Sequence, residues 1–154
     1  MGLFDRLTGT KYPDSGVSPR SAEDVRAAIL ALNETADVPY RVRNALPAEK
    51  ADLVAECQIR RVGVRLKTRM RLVPEKHEVR FLDERWEKRP SGNAPAQYGR
   101  GHAPAVYRQW EMKQGPDGRR HKIEAFRFDT REMTGPLQNA VLGAGWTWRG
   151  VFRL

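Results

Sequence analysis

The sequence is poor in cysteine and in long apolar runs, and each shortage excludes a class of protein. Cys57 is the only cysteine among 154 residues, so no disulfide can form within the chain. A lone thiol fits a reducing compartment, and we expect a cytoplasmic protein. No window approaches the roughly 20 apolar residues that a transmembrane helix needs. The N-terminal residues also lack the basic start and apolar run of a secretory signal.

Motifs for catalysis and for metal binding are also missing. The chain has no G-x-S-x-G elbow, no H-E-x-x-H pair and no P-loop. Cys57 lies in an alternating apolar segment, where a free cysteine usually serves as a small buried hydrophobe. His77, His102 and His121 are not spaced like the short ligand pairs of a zinc site. The sequence therefore predicts a protein that is not an enzyme and that holds no metal and no cofactor.

Acidic residues are few relative to basic ones. The chain has 28 Lys and Arg against 19 Asp and Glu, which gives a net charge of +9. Residues 38–73 hold nine basic and three acidic side chains, and residues 89–128 hold eight and three. Such an excess favours an anionic partner and carries no information about the fold. A GC-rich genome is the alternative explanation for the many arginines.

One segment carries much of this charge in a regular pattern. From Val62 to Val73 apolar and polar residues alternate, which is typical of a half-buried β-strand. Pro74 ends the strand, and the connection PEKH leads into a returning strand. With this loop length Leu72 pairs with Val79 and Met70 with Phe81, so the apolar faces match. After Phe81 the alternation breaks, because either the strand bulges or it runs past the edge of the core.

The outward side chains of this hairpin form the candidate anion-binding site. The site comprises Arg65, Lys67, Arg69, Arg71, Arg80, Trp86 and Lys88. In the simple register Glu84 alone opposes six cations, and Trp86 lies across from Arg65, where the guanidinium could stack on the indole. A bulge after Phe81 would instead turn Trp86 inward.

We expect this face to lie in solvent, because the arginines of a second basic hairpin would be repelled from it. Cations without carboxylate partners suit phosphate contacts and salt-dependent binding. The sequence thus predicts a non-catalytic binding protein for an anionic partner, with nucleic acid as the candidate. The alternative is a protein-interaction or assembly subunit that binds an acidic protein surface.

The remaining segments predict a single α+β domain. Residues 1–20 read as a flexible tail and 21–154 as the domain, with a mobile loop at 89–104 that is rich in Gly and Pro. Ser21 is expected to cap a first helix, and Thr134 a second one that ends near Gly145. The fold class is therefore α+β, with an antiparallel sheet of about six or seven strands and two short helices.

The second hairpin and the last strand contain most of the tryptophans. The turn QGPDG at 114–118 is expected to place Trp110 across from Ile123 and Tyr107 across from Phe126. Trp110, Trp146 and Trp148 are expected to lie in or near the core, since strands should pack at these positions.

The C-terminal part of the chain resembles a family of small bacterial proteins of unknown function. The resemblance rests on FDTREMTGPLQNAVLGAGWTWRGV at 128–151, supported by LVAECQI and MRLVPEKHEVRFLDERW earlier in the chain. Its shared feature is a Pro-Leu-Gln helix followed by Gly-Trp-Thr-Trp-x-Gly-Val. The resemblance implies a common fold and assigns no activity or functional residue.

Overall fold

The fold is α+β, as the sequence predicts, and the computed structural model describes residues 2–35, 40–88 and 97–154. Three α-helices are present: α1 (Leu3–Thr8), α2 (Ala22–Leu30) and α3 (Arg131–Gly143). The strands are β1 (Arg41–Asn44), β2 (Leu53–Ile59), β3 (Val64–Val73), β4 (Glu78–Glu87), β5 (Gln97–Arg100), β6 (Val106–Gln114), β7 (Arg120–Asp129) and β8 (Thr147–Gly150).

Six of the strands form one sheet and the other two form a separate hairpin. The main sheet runs in the order β1-β2-β3-β4-β5 with antiparallel pairing, and β8 pairs parallel with β4. The strands β5 and β8 contact different ends of β4, at 84–87 and 78–81 respectively. Strands β6 and β7 pair only with each other among the described residues. The long strand β4 therefore organises the sheet.

The register of β3 and β4 confirms the predicted hairpin. Leu72 pairs with Val79 and Met70 with Phe81, and the pairing continues to Val64 and Glu87 without a shift. The break in alternation after Phe81 is therefore not a bulge. The strand runs past the apolar core, and Asp83, Arg85 and Glu87 lie on the same side of the sheet as that core.

Both longer helices pack on one face of the sheet. Ser21 caps α2, since its hydroxyl oxygen accepts a hydrogen bond from the Asp24 amide at 3.1 Å, as predicted. Helix α3 ends at Gly143, and Gly145 two positions further on adopts the left-handed conformation with a φ of 76°. Trp148 stacks on Phe81 with ring centroids 4.2 Å apart, and Trp146 is also buried. The core cluster unites apolar side chains of both helices with the inward residues of the strands, Cys57 included.

The N-terminal segment is not the flexible tail that the sequence predicts. Residues 3–8 form α1, and Lys11 makes a β-bridge to Trp148. Thr8 and Thr10 are buried, and the Gly150 amide donates a hydrogen bond to Thr10 Oγ1 at 3.0 Å. Gly and Pro residues prevent long regular elements here, but they do not prevent the segment from pairing with β8.

The segment predicted as a mobile loop at 89–104 contains a strand. Residues 97–100 form β5, which pairs with the far end of β4. Residues 89–96 lie outside the described residues. The prediction failed at 97–100 because a four-residue edge strand containing Gly99 gives too little alternation to recognise.

The second hairpin has the predicted strands but a different register. Tyr107 pairs with Phe128, and Trp110 pairs with Glu124 after an irregularity at Gln109 and Trp110. The extra residue is Ala125 of β7, so β6 alternates without interruption and Trp110 lies on the face opposite the core-packed Tyr107, where it is 45% exposed instead of lying in the core. A bulge of one residue has no signature in the alternating sequence on either side of it.

The second helix begins earlier than predicted. Helix α3 starts at Arg131 with Thr130 at its N-cap, so that Thr134 and Pro136 both lie inside it. Pro136 is in the second turn, where a missing amide donor removes at most one intrahelical hydrogen bond. Within the described ranges no helix is long and apolar enough to cross a membrane.

The packing of the N-terminal segment against β8 is testable at Gly150. A Cβ at this position would overlap the carbonyl oxygen of Thr8, which is a backbone atom that cannot rotate away. We expect Gly150→Ala to lower the free energy of unfolding by about 2 kcal/mol or more in urea denaturation.

Gly135→Ala is the matched control, since a Cβ there meets nothing within 4 Å. Gly135 lies inside α3, where alanine should raise stability by about 0.5–1 kcal/mol. Equal effects of the two substitutions would contradict the docking of residues 2–20 on β8.

Candidate anion-binding face

The candidate site is the sheet surface that faces away from α2 and α3, here called the charged face. Strict alternation places Arg65, Lys67, Arg69 and Arg71 of β3 on it, opposite the apolar side chains that enter the core. The pairing with β4 adds Arg80, Leu82, Glu84 and Trp86, and the pairing with β5 adds Tyr98 and Arg100. The predicted grouping on one face is therefore present.

One half of the charged face is neutralised by ion pairs. Glu49, in the 3-10 turn Pro47–Glu49, accepts two hydrogen bonds from Arg43 at 2.7 and 2.8 Å. Its Oε2 also accepts one from Lys67 Nζ at 2.8 Å. Glu56 lies 3.1 Å from Arg43 and 3.6 Å from Lys67. Two cations thus share two carboxylates.

These contacts also shift the protonation equilibria of the two glutamates. Hydrogen bonds from Arg43 hold the pKa of Glu49 well below its usual range, and Lys67 and the Leu46 amide lower it further. Arg43 likewise lowers the pKa of Glu56. The same partners raise the pKa of the Arg43 guanidinium. Glu49, Glu56 and Arg43 are therefore charged at neutral pH.

Two further predicted cations are paired on the same face. Arg69 Nε donates to Glu84 Oε1 at 2.6 Å, and Arg69 Nη1 donates to the Glu49 carbonyl oxygen at 2.7 Å. Arg80 donates to Glu78 at 2.8 Å, and Arg149 of β8 donates to the other oxygen of Glu78 at 2.6 Å. Lys67, Arg69 and Arg80 are therefore not free anion ligands.

The prediction that only Glu84 opposes six cations is therefore wrong, because Glu49, Glu56 and Glu78 also reach them. Glu56 could have been found, since the alternation that puts Cys57 in the core puts Glu56 outward, and pairing of β2 with β3 sets it opposite Lys67. Glu49 gave no such signal. It comes from a turn that folds across the sheet, and no periodicity predicts that.

The cations without a carboxylate partner lie elsewhere on the charged face. Within the described ranges, Arg65, Arg71 and Lys88 make no ion pair, although Arg71 donates to the Lys50 carbonyl oxygen at 2.8 Å. Lys88 follows β4 and its amide bonds the Gly63 carbonyl oxygen at 2.9 Å. These three predicted residues keep their charge available.

Three more such cations surround a surface cavity of about 260 Å³ that the sequence did not predict. The cavity is lined by Ala48, Lys50, Arg69, Leu82, Arg100, Arg153 and Leu154. Lys50, Arg100 and Arg153 are exposed and have no carboxylate partner among the described residues, whereas Arg69 is held by Glu84. We call this cavity the basic basin. Its lining residues come from five separate segments of the chain, so only the folded protein brings these charges together.

An aromatic cluster borders the basic basin on the same face. The Arg65 guanidinium lies 4.2 Å from the centroid of the Trp86 ring, which is the stacking expected for the unshifted register. Tyr98 of β5 lies beside Trp86, with ring centroids 5.3 Å apart and an angle of 48° between the planes. The Tyr98 hydroxyl donates to Glu84 Oε2, so the ring is held in place while 48% of the residue is exposed.

The opposite side of β4 carries a second polar cluster, beyond the end of the apolar core. Thr68 Oγ1 donates to Asp83 Oδ1 at 2.7 Å, and burial raises the pKa of Asp83 to about 6. A cavity of about 40 Å³ lies beside them and is also lined by His102, Thr130 and Met133. It has space for about one or two water molecules. The described residues contain no group of three side chains placed to hold a metal ion.

No protein-family model, curated protein or solved structure matches this chain. The resemblance drawn from the C-terminal motif therefore stays a prediction. The candidate site rests entirely on the geometry of the charged face.

Removal of the central carboxylate tests the ion-pair network. Glu49→Gln keeps the shape but leaves Arg43 and Lys67 with a neutral partner, and we expect a loss of about 2 kcal/mol in the free energy of unfolding at pH 7. Because the folded state lowers the pKa of Glu49, its stabilisation is complete above about pH 4.5 and is lost as the pH falls further.

Urea denaturation at several pH values between 7 and 2 measures this difference. Glu75→Gln is the control, since Glu75 is exposed in the turn between β3 and β4. A wild-type advantage that stayed constant down to pH 2 would show that the charge of Glu49 is not its source.

Proposed function

We propose that the protein is a non-catalytic binding protein that holds an anionic polymer on its charged face, nucleic acid being the polymer that fits best. The observation that carries the proposal is the basic basin, where Lys50, Arg100 and Arg153 meet with no carboxylate partner among the described residues. Clustered cations of this kind gain most by neutralising phosphates, since binding releases the counterions of the polymer.

The ion-paired half of the face contributes little to such binding. Lys67 and Arg43 already neutralise Glu49 and Glu56, so a phosphate would have to compete with carboxylates at 2.7–3.1 Å. The footprint therefore shifts from the middle of β3 to the edge formed by β4 and β5. Arg65, Arg71, Trp86 and Lys88 remain part of it, and Lys50, Tyr98, Arg100 and Arg153 join them.

The proposal includes a modest affinity and a cytoplasmic location. A footprint with few unpaired cations supports micromolar or weaker binding that depends strongly on salt. The location rests on the sequence argument from the lone Cys57, which is buried in the core.

Neutralising the basic basin tests the proposal. The triple variant Lys50→Asn, Arg100→Gln, Arg153→Gln removes three charges, and asparagine suits the left-handed backbone of Lys50 with its φ of 51°. In fluorescence anisotropy titrations with a labelled oligonucleotide, we expect weaker binding. We also expect the slope of log K against log salt to fall by about 2, since each phosphate contact contributes about 0.7.

A control variant with the same change in net charge separates the site from the overall field. Lys76→Gln, Lys113→Gln and Arg119→Gln remove three exposed cations from hairpin segments away from the basin. Removal of these three charges should leave the affinity for the oligonucleotide and the slope of log K against log salt mostly unchanged. Equal losses in both triple variants would show that binding follows net charge and not the basin.

A protein-interaction or assembly subunit is the second candidate function. The β6–β7 hairpin exposes Trp110 and Met112, at 45% and 55%, on the face opposite the side chains Tyr107 and Phe128 that pack in the core. Exposed apolar side chains of this size suit a protein interface. In a pull-down after nuclease treatment, a partner that persists with wild type and is lost with Trp110→Ser would favour this function. Partners lost on nuclease treatment favour nucleic acid.

A further inference from the structure

The geometry points to a single-stranded nucleic acid as the ligand, with a base stacked on Tyr98 and the adjoining phosphate in the basic basin. This inference rests on the proposed function and makes it specific. It assigns binding roles to Tyr98, Lys50, Arg100 and Arg153. None of these four residues belongs to the predicted site.

The first element of the inference is the exposed ring of Tyr98. About half of this residue is accessible, yet the ring is fixed from two sides, by the Trp86 indole at 5.3 Å and by the hydrogen bond from its hydroxyl to Glu84. A ring held in this way offers a π-face to a base with little loss of side-chain entropy on binding. Burial and the bond to Glu84 also raise the pKa of the Tyr98 phenol, so the ring stays neutral.

The second element is the position of Arg100 relative to Tyr98. The two residues are on β5, two positions apart, so their side chains project from the same side of the sheet with Cα atoms about 7 Å apart. Arg100 belongs to the basic basin, together with Lys50 and Arg153. A chain whose base contacts Tyr98 therefore has a concentrated positive charge beside it for its phosphate.

The third element concerns whether the bound polymer is single-stranded or double-stranded. In a duplex the faces of the bases are covered by their neighbours, and Tyr98 lies within a sheet instead of at the tip of an inserting loop. Only an unstacked base can reach the ring. Arg65 adds a planar cation over Trp86, at 4.2 Å, on the same face. The combination of aromatic rings with cations suits a single strand without base-specific readout.

Anisotropy titrations at low salt with four probes test the inference. The probes are single strands of about 12 nucleotides in DNA and RNA form, a duplex of equal length, and inorganic polyphosphate. We expect wild type to bind the single strands about tenfold more tightly than the duplex. The DNA and RNA arms show whether the sugar contributes.

Variants of the exposed aromatic residues separate stacking from charge. Tyr98→Ala should weaken single-strand binding about tenfold, the loss expected for one stacked base, and leave polyphosphate binding unchanged. Tyr98→Phe should retain most of the single-strand affinity. Trp110→Ala is the matched control, since Trp110 is equally exposed on the separate β6–β7 hairpin, and it should change neither affinity.

The possible failures are distinguishable. Duplex binding as tight as single-strand binding, or a Tyr98→Ala variant that binds single strands normally, would overturn the inference and leave the proposed function in place. An equal loss of polyphosphate binding in Tyr98→Ala would also overturn the inference. The ring would then support the structure of the site and would not stack on a base. If the wild-type protein bound none of the four probes, both this inference and the proposed function would be wrong.

Discussion

The unshifted pairing of β3 with β4 is the constraint on which the rest of the structure depends. Ten residue pairs, from Val64 with Glu87 to Val73 with Glu78, keep one register. A slip by one residue would turn every side chain to the opposite face and exchange Met70 and Phe81 for arginines in the core. Because Phe81 stacks on Trp148 under α3, burial of the apolar side fixes where each charge lies.

The charged side chains that this register brings together form two groups, one ion-paired and one without carboxylate partners among the described residues. Where β2 and the turn at 47–49 approach β3, carboxylates lie within hydrogen-bonding distance of Arg43 and Lys67. These two cations therefore stabilise the folded structure. Where β5 and the C-terminal residues approach β4, the cations of the basic basin lack such partners among the described residues. Some of the basic side chains that alternate along β3 therefore stabilise the fold through ion pairs, and the others remain available to bind an anion.

Features that depend on residues close together in the sequence were predicted, whereas features that depend on contacts between distant residues were not. Alternation is a local property, so it predicted a strand from 62 to 73, of which 64–73 form β3, together with its partner strand and the stacking of Arg65 on Trp86. Contacts between distant segments have no local pattern. The charged face receives Glu49 from a turn, Tyr98 and Arg100 from an edge strand, and Arg153 from the segment that follows β8. The register of the β6–β7 hairpin depends on one extra residue, Ala125. The predicted tail failed for the same reason, since its partner Trp148 is 137 positions from Lys11.

Backbone amide chemical shifts, followed by NMR while a single-stranded oligonucleotide is added, test the central claim most directly. We expect shift changes at Lys50, Tyr98, Arg100 and Arg153 and at the Trp86 indole, all on the charged face. We expect little change in α2, α3 and the β6–β7 hairpin. Changes centred on Trp110, or spread evenly over exposed cations, would contradict that claim.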